Sequence, residues 1–356
     1  MSPRALEFVI PGDLQAATGG YGYDRRIITG LRALGWAVAV HTLDASFPAP
    51  TEPALRQAQE LFARFADHSL VLVDGLALGA MPQVVVPHGA RLRLVALVHH
   101  PLAMESGLEP RLALKLARSE RRALEAMRHI IVTSHATKQA LGPYGIEPGC
   151  VSVVEPGTDE APVTQRPRGA VLEMLCVATL IPRKGHDVLF EALSTVPPHW
   201  HLTCVGSLTR SPQTVARLRA QLQRLGLERQ VALVGEVRAQ ALAQRYAAAD
   251  LFVLPTRYEG YGMAVAEALA HALPVISTRA GAIPELVGPN AGLLVEADDV
   301  MALRAALERA LNEPELLSRL AAGAQVAGST LPRWQDCCSR MSRVLSEDPS
   351  DHGRGQ

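Results

Sequence analysis

Aromatic residues are scarce, only 4% of the 356-residue chain, whereas hydrophobic residues of all kinds reach 48%. A core of this composition is built from Ala, Leu and Val on helices and buried strands. Cysteine is equally uninformative as a framework. The five residues Cys150, Cys176, Cys204, Cys337 and Cys338 are odd in number and scattered, with no C-x-x-C. Neither a disulfide scaffold nor a zinc knuckle follows, and a reducing, cytoplasmic compartment is expected. Formal net charge is zero, so nothing overall points to nucleic acid or an acidic polymer. No apolar run reaches membrane-spanning length. The segment Leu6-Glu-Phe-Val-Ile10 is too short and too acidic for a signal-peptide core and reads as a first strand. Also missing are a G-x-x-x-x-G-K-[ST] phosphate loop, a D-x-D pair to hold a divalent metal, and the glycine spacing of a dinucleotide fingerprint. From Gly20 the third position is Gly22 but the sixth is Arg25.

What the chain does have is alternation. Strand-like runs near residues 6–10, 37–43, 70–74, 92–98, 129–133 and 151–154 are followed by a second series near 172–177, 201–205, 231–234, 250–254, 274–277 and 292–295, with helical patterns between them. This is the signature of parallel sheets with crossover helices. Residues 155–169 are rich in proline and glycine and poor in apolar residues, the best linker in the chain. The expectation is an α/β protein of two doubly wound, Rossmann-like domains facing a central cleft, covering residues 1–160 and 161–328. A last helix over 329–345, including Trp334, would cross back toward the first domain, and 346–356 would be a disordered tail. Ligands of such sheets bind outside the carboxyl ends of the strands.

Several motifs fall at those ends. The run Pro255-Thr-Arg-Tyr-Glu-Gly-Tyr-Gly-Met-Ala-Val-Ala-Glu267 follows a buried strand and leads into a helix beginning near Met263. It joins two carboxylates, Glu259 and Glu267, through a glycine bend at Gly260, Tyr261 and Gly262. Such a bend aims backbone N–H groups and a positive helix terminus at an anion. A plain turn with two solvated glutamates has the same spacing. In Ala178-Thr-Leu-Ile-Pro-Arg-Lys-Gly-His-Asp187, Arg183 and Lys184 stand at a helix start, where cations oppose the macrodipole unless an anion is shared with them. Gly19 and Gly20, in the loop after the first strand, allow close approach of backbone to ligand. His99 ends the fourth strand, where it meets either a sugar hydroxyl or only its own loop; no further ligands at zinc spacing accompany it. Asp298 and Asp299 read as capping acids. Residues 111–128 carry Arg111, Lys115, Arg118, Arg121, Arg122 and Arg128 around an apolar stripe of Leu112, Leu116, Ala123 and Met127. This is either a solvated basic helix or a face for peripheral contact with an inner membrane surface.

Taken in order, the Gly19-Gly20 loop, Val98-His99, Val153-Val-Glu-Pro-Gly-Thr-Asp159, Pro182-Arg-Lys-Gly-His186, Val231-Ala-Leu-Val-Gly235 and the Glu259-x7-Glu267 pair resemble family 4 of the retaining glycosyltransferases, of GT-B fold, from about residue 6 to residue 328. The resemblance implies a hexosyl transfer from a UDP- or GDP-linked sugar to an acceptor hydroxyl, with no cofactor and no metal. It gives Glu259 the donor sugar's hydroxyls, Glu267 the ribose, and Arg183 and Lys184 the diphosphate, with the amides from Gly260 to Met263 completing the cradle. His99 would touch the transferred sugar, and Gly19 and Gly20 would close over phosphate and acceptor. Two departures stand out. Ala178-Thr179 replaces a common Gly-Arg pair, so Arg183 would have to supply that charge, and His100 stands where other members have Asp or Asn. The acceptor (small molecule, glycan or lipid) has no signature in this sequence. Two alternatives are a glycoside hydrolase using Glu259 and Glu267 as its carboxyl pair, and a catalytically silent sugar-nucleotide-binding protein.

Overall fold

The structure, a computed structural model, describes residues 4–161, 169 and 171–347. The expected tail beyond residue 347 and residues 162–168 of the expected linker lie outside the described residues. The chain forms two compact units, Met1–Gly157 with Pro332–Gln356, and Thr158–Leu331.

The first unit is built on strands β1 (Arg4–Pro11), β2 (Trp36–Leu43), β3 (Leu70–Asp74), β4 (Arg93–Val98), β5 (His129–Val132) and β6 (Val151–Val153). All pair in parallel in the order β2-β1-β3-β4-β5-β6. The central strand Leu70-Val-Leu-Val-Asp74 is buried at every position, as a strand covered by helices on both faces must be. In this order the winding reverses between β1 and β3, the switch point of a doubly wound sheet. The helix Trp334–Ser346 belongs to this unit and lies on the helix Gly19–Ala33. Their axes approach at Gly30, where a Cβ would fall 2.1 Å from Cys338 Sγ. Trp36 Nε1 donates to Ser342 Oγ at 2.9 Å, and Arg26 lies over the Trp334 ring.

The second unit carries β7 (Leu172–Val177), β8 (Trp200–Val205), β9 (Val231–Gly235), β10 (Leu251–Leu254), β11 (Val275–Thr278) and β12 (Gly292–Val295). Its order, β12-β11-β10-β7-β8-β9, is again parallel throughout. The switch point here lies between β7 and β10. Each unit has its own apolar core, one around Phe62, Val71 and Ala96, the other around Phe190, Trp200 and Phe252.

One expectation is corrected. Gly19 and Gly20 do not lie in a loop. They open the helix Gly19–Ala33, because Thr18 caps it by accepting from Tyr21 N. The basic helix runs Pro110–Leu124, with Leu112 44% and Leu114 60% exposed. Only the C-terminal half, with Glu120, Ala123 and Leu124, is buried.

Glu120 is a charged type in an apolar place. It is 1% exposed, accepts from Leu102 N at 3.2 and 3.0 Å through its two oxygens, and takes the Tyr144 hydroxyl proton at 2.8 Å. Burial pushes its carboxyl up to about 7, against the opposing pull of Tyr144 and Leu102. A carboxyl raised on folding contributes stability that is complete below its unfolded value and lost as pH rises through its folded one. Wild-type stability should therefore fall between about pH 4.5 and pH 7. Glu120→Gln should remove about 3 kcal/mol of that dependence. Urea unfolding at a series of pH values checks this, and equal slopes in the two proteins would contradict it.

Candidate active site

In the second unit two loops, one after β7 and one after β10, are bound into a single frame by backbone groups. The Arg257 N–H donates to Arg183 O at 2.7 Å, and Thr256 Oγ1 donates to Arg183 O and Tyr258 O at 3.1 and 3.0 Å. Arg183 Nη1 returns a bond to Tyr258 O at 2.8 Å. Gly185 is the hinge that permits this closeness: its φ is +69°, and a Cβ would lie 1.9 Å from Pro255 O. From the third loop, after β11, Ala282 N donates to Glu259 O at 3.0 Å. Gly281, at φ +57°, presses against that same oxygen, 1.9 Å from where its Cβ would be.

This frame brings the predicted residues together. Lys184 Nζ donates to Glu259 Oε1, with their side chains only 15% and 9% exposed. Gly260, Tyr261 and Gly262 are buried beside them. Gly262, at φ +99°, ends the loop and begins the helix Met263–Ala270, whose N-terminus no side chain caps. Orphan N–H groups of a first turn are anion donors. Glu267 lies one turn further on, its Oε2 accepting from the Tyr246 hydroxyl at 2.9 Å. Glu259 and Glu267 thus have different partners, a lysine and a buried phenol.

Arg183 and Arg257 have different partners. The Arg183 guanidinium is bound to a carbonyl of the neighbouring loop. Arg257, which sequence reasoning passed over, bonds Asp187 at 2.9 Å, Asp298 at 2.7 Å and the Pro182 carbonyl. Its hydrogen bonds to Asp187 raise the guanidinium further above its ordinary value. Asp298 is therefore a partner of Arg257, while Asp299 alone caps the helix Val300–Asn312 through Ala302 N. Beneath the frame, Cys176 and Cys204 are register partners on β7 and β8. Cys176 Sγ sits 3.7 Å from His186 Nε2, and the donor atoms of all three residues lie within 4.8 Å of one another. Spacing in the sequence gives no hint of this soft-donor cluster, the set among these residues with the chemistry to hold a thiophilic cation.

In the first unit His99 follows β4, and its Nε2 lies 3.1 Å from Asp24 Oδ1 and 3.6 Å from Asp74 Oδ2. Gly20 backs the ring, where a Cβ would meet His99 Cδ2 at 3.5 Å. Tyr23 stands edge-on at 5.2 Å. Burial alone would lower His99, but Asp24 and Asp74 outweigh it and raise it. Burial first, and Asp24 second, push Asp74 well above the ordinary carboxylate range. Neither acid was singled out in the sequence; the one available signal was Asp74, an acid closing an otherwise apolar buried strand.

The chain matches two sequence-family models, "Glycosyltransferase Family 4" over residues 25–161 and "Glycosyl transferases group 1" over residues 160–326. It is 28% identical over 323 residues to the MMP alpha-(1->4)-mannosyltransferase of Mycolicibacterium hassiacum, covering 86% of this chain and 77% of that protein. It is 32% identical over 184 residues to a GDP-mannose-dependent monoacylated alpha-(1-6)-phosphatidylinositol monomannoside mannosyltransferase of Corynebacterium glutamicum, covering 49% and 47% of the two chains. Among solved structures, sucrose-phosphate synthase from Thermosynechococcus elongatus superposes with a TM-score of 0.81 at 22% identity, over 96% and 98% of the two chains. Anabaena HepE in complex with UDP and glucose gives 0.75 at 20%, over 96% and 99%. The chain belongs to glycosyltransferase family 4 and has the GT-B fold. It is a glycosyltransferase.

Gly281→Ala tests the frame. The added methyl must displace the Glu259 carbonyl, and we expect a loss of about 1–3 kcal/mol in stability with a matching fall in transfer. Unchanged thermal unfolding and activity would show that the Glu259 loop does not depend on this contact.

Proposed function

We propose that the protein transfers a hexose-type sugar, with retention and without a metal, from a nucleoside-diphosphate sugar to an acceptor hydroxyl. The observation that carries this reading is the Lys184–Glu259 pair beside the uncapped start of the helix Met263–Ala270, at a switch point where doubly wound sheets bind ligands. When donor arrives, Lys184 exchanges Glu259 for the diphosphate, and Glu259 turns to the sugar hydroxyls. The first-turn amides of the helix share the phosphate charge, and Glu267 takes the ribose. Arg183 acts chiefly by fixing the loop after β10 to the loop after β7.

The chemistry is electrostatic. Negative charge collects on the leaving diphosphate while the anomeric carbon becomes positive. A fixed lysine and oriented N–H groups therefore favour the transition state over the ground state. The leaving phosphate, freed of the sugar, accepts the acceptor's proton. The named relatives include a GDP-mannose-dependent mannosyltransferase, and one structural neighbour holds UDP, so UDP- and GDP-linked hexoses are the donors to try first. In the first unit His99 meets the transferred sugar, with Gly20 behind its ring.

Lys184→Ala or Glu259→Ala should lower turnover on the order of 10²-fold or more, the scale of losing one transition-state contact. Wild-type turnover in either variant would remove that residue from the mechanism. Full activity is expected in EDTA, and a strict requirement for added Mg²⁺ would overturn the metal-free account. A thermal-shift panel of UDP-, GDP-, ADP- and TDP-sugars identifies the donor, because a ligand bound only by the folded protein raises its melting temperature.

A further inference from the structure

Asp24 and Asp74 have no part in the reading above, yet they are among the most deeply buried charged side chains of the first unit. Asp24 is fully buried and Asp74 is 3% exposed. Their ion pairs among the described residues run to His99 alone. Asp74 Oδ1 accepts from Leu76 N at 2.8 Å, whereas Asp24 Oδ2 has no hydrogen-bond partner. Asp24, buried with one oxygen unpartnered and with the Asp74 carboxyl nearby, needs a positive partner, because an uncompensated buried charge is costly.

The other titratable groups around the ring do not supply that charge. Tyr23, on the helix Gly19–Ala33, donates its hydroxyl to Val154 O at 3.1 Å and is held neutral by burial, by Cys337 and by Asp24. Cys337 of the last helix is itself pushed up to about 12 by burial. From the end of β5, Thr133 Oγ1 donates to the His99 carbonyl. The next residue, His100, faces Glu105 at 3.8 Å.

We propose that Asp24 and Asp74 are positioning residues for His99: Asp24 takes its Nε2–H, Asp74 adds its charge from 3.6 Å, and together they keep the ring an imidazolium and leave Nδ1–H as the donor that meets the sugar. This rests on the reading of His99 as a sugar contact. The arrangement also has an electrostatic consequence. An imidazolium paired with the Asp24 carboxylate is not a net cation. It can donate to a sugar oxygen without adding positive charge beside an anomeric carbon that is itself becoming positive. The position follows from topology, since Asp24 rides on the helix after β1, Asp74 ends β3 and His99 follows β4, beside the switch point between β1 and β3.

The test is ¹⁵N NMR of the imidazole nitrogens in the ligand-free protein, with Asp24→Asn and Asp74→Asn beside wild type. In wild type the His99 ring should titrate above an ordinary histidine, with both ring nitrogens protonated on the acid side of that transition. In Asp24→Asn the titration should fall by about one unit or more, the scale of losing an adjacent opposite charge. The alkaline limb of kcat against pH should move down with it. In a His99→Asn background Asp24→Asn should change kcat no further. A neutral ring in wild type, an unmoved titration in both variants, or a stoichiometric divalent metal recovered with the protein would overturn the proposal. Because the NMR arm uses no substrate, protonated His99 in a protein that transfers no sugar would reject the transfer reading and the sugar contact while leaving the control of the ring's protonation by Asp24 and Asp74 standing.

Discussion

The second unit is organised around one buried ion pair. Lys184 and Glu259 come from loops 75 residues apart in sequence, and each is removed from most of its water. Such pairs are weak sources of stability, since desolvation offsets much of the attraction. They are, however, strongly directional: neither charge can be left without the other unless a replacement arrives. The surrounding frame makes that exchange possible. Carbonyls of Arg183, Tyr258 and Glu259 are held by neighbouring donors, so the loops keep their shape while two side chains change partners. A fixed backbone with exchangeable side-chain charges is what preorganised electrostatic catalysis requires.

The first unit uses the same device with another chemistry. Its charged cluster again gathers where the winding of the sheet reverses, with Asp74 and His99 at strand ends and Asp24 one helical turn inside its helix. Here the buried charges are carboxylates around an imidazole rather than a carboxylate around a lysine. Both clusters sit where parallel strands diverge and leave a crevice. The Rossmann-like sheets supply the crevices; the side chains at their rims supply the function.

Much of this was legible in the sequence. Each expected strand is present within two residues of its expected limits, because parallel strands buried on both faces are continuous apolar runs with abrupt ends. The helix start at Met263 was legible from the Gly260–Gly262 bend, and the helix after Gly185 from the glycine itself. What escaped depends on distance in sequence. Asp24 and Asp74 are unremarkable alone, and only the order β2-β1-β3-β4 carries them to His99. Arg257 lies in the quoted run but outside the Glu259-x7-Glu267 pair; its partners, Asp187 and Asp298, are 70 and 41 residues away. Cys176 and Cys204 meet through strand register, which no spacing rule encodes. Gly19 and Gly20 were misread because Thr18, a strong cap, draws the helix start back over them.

The account stands on where a diphosphate binds. A crystal structure of the protein with GDP or UDP tests this most directly. We predict the β-phosphate at Lys184 Nζ and the first-turn amides of the helix Met263–Ala270, with the Lys184–Glu259 contact opened. A nucleotide bound elsewhere, with that ion pair still closed, would contradict it.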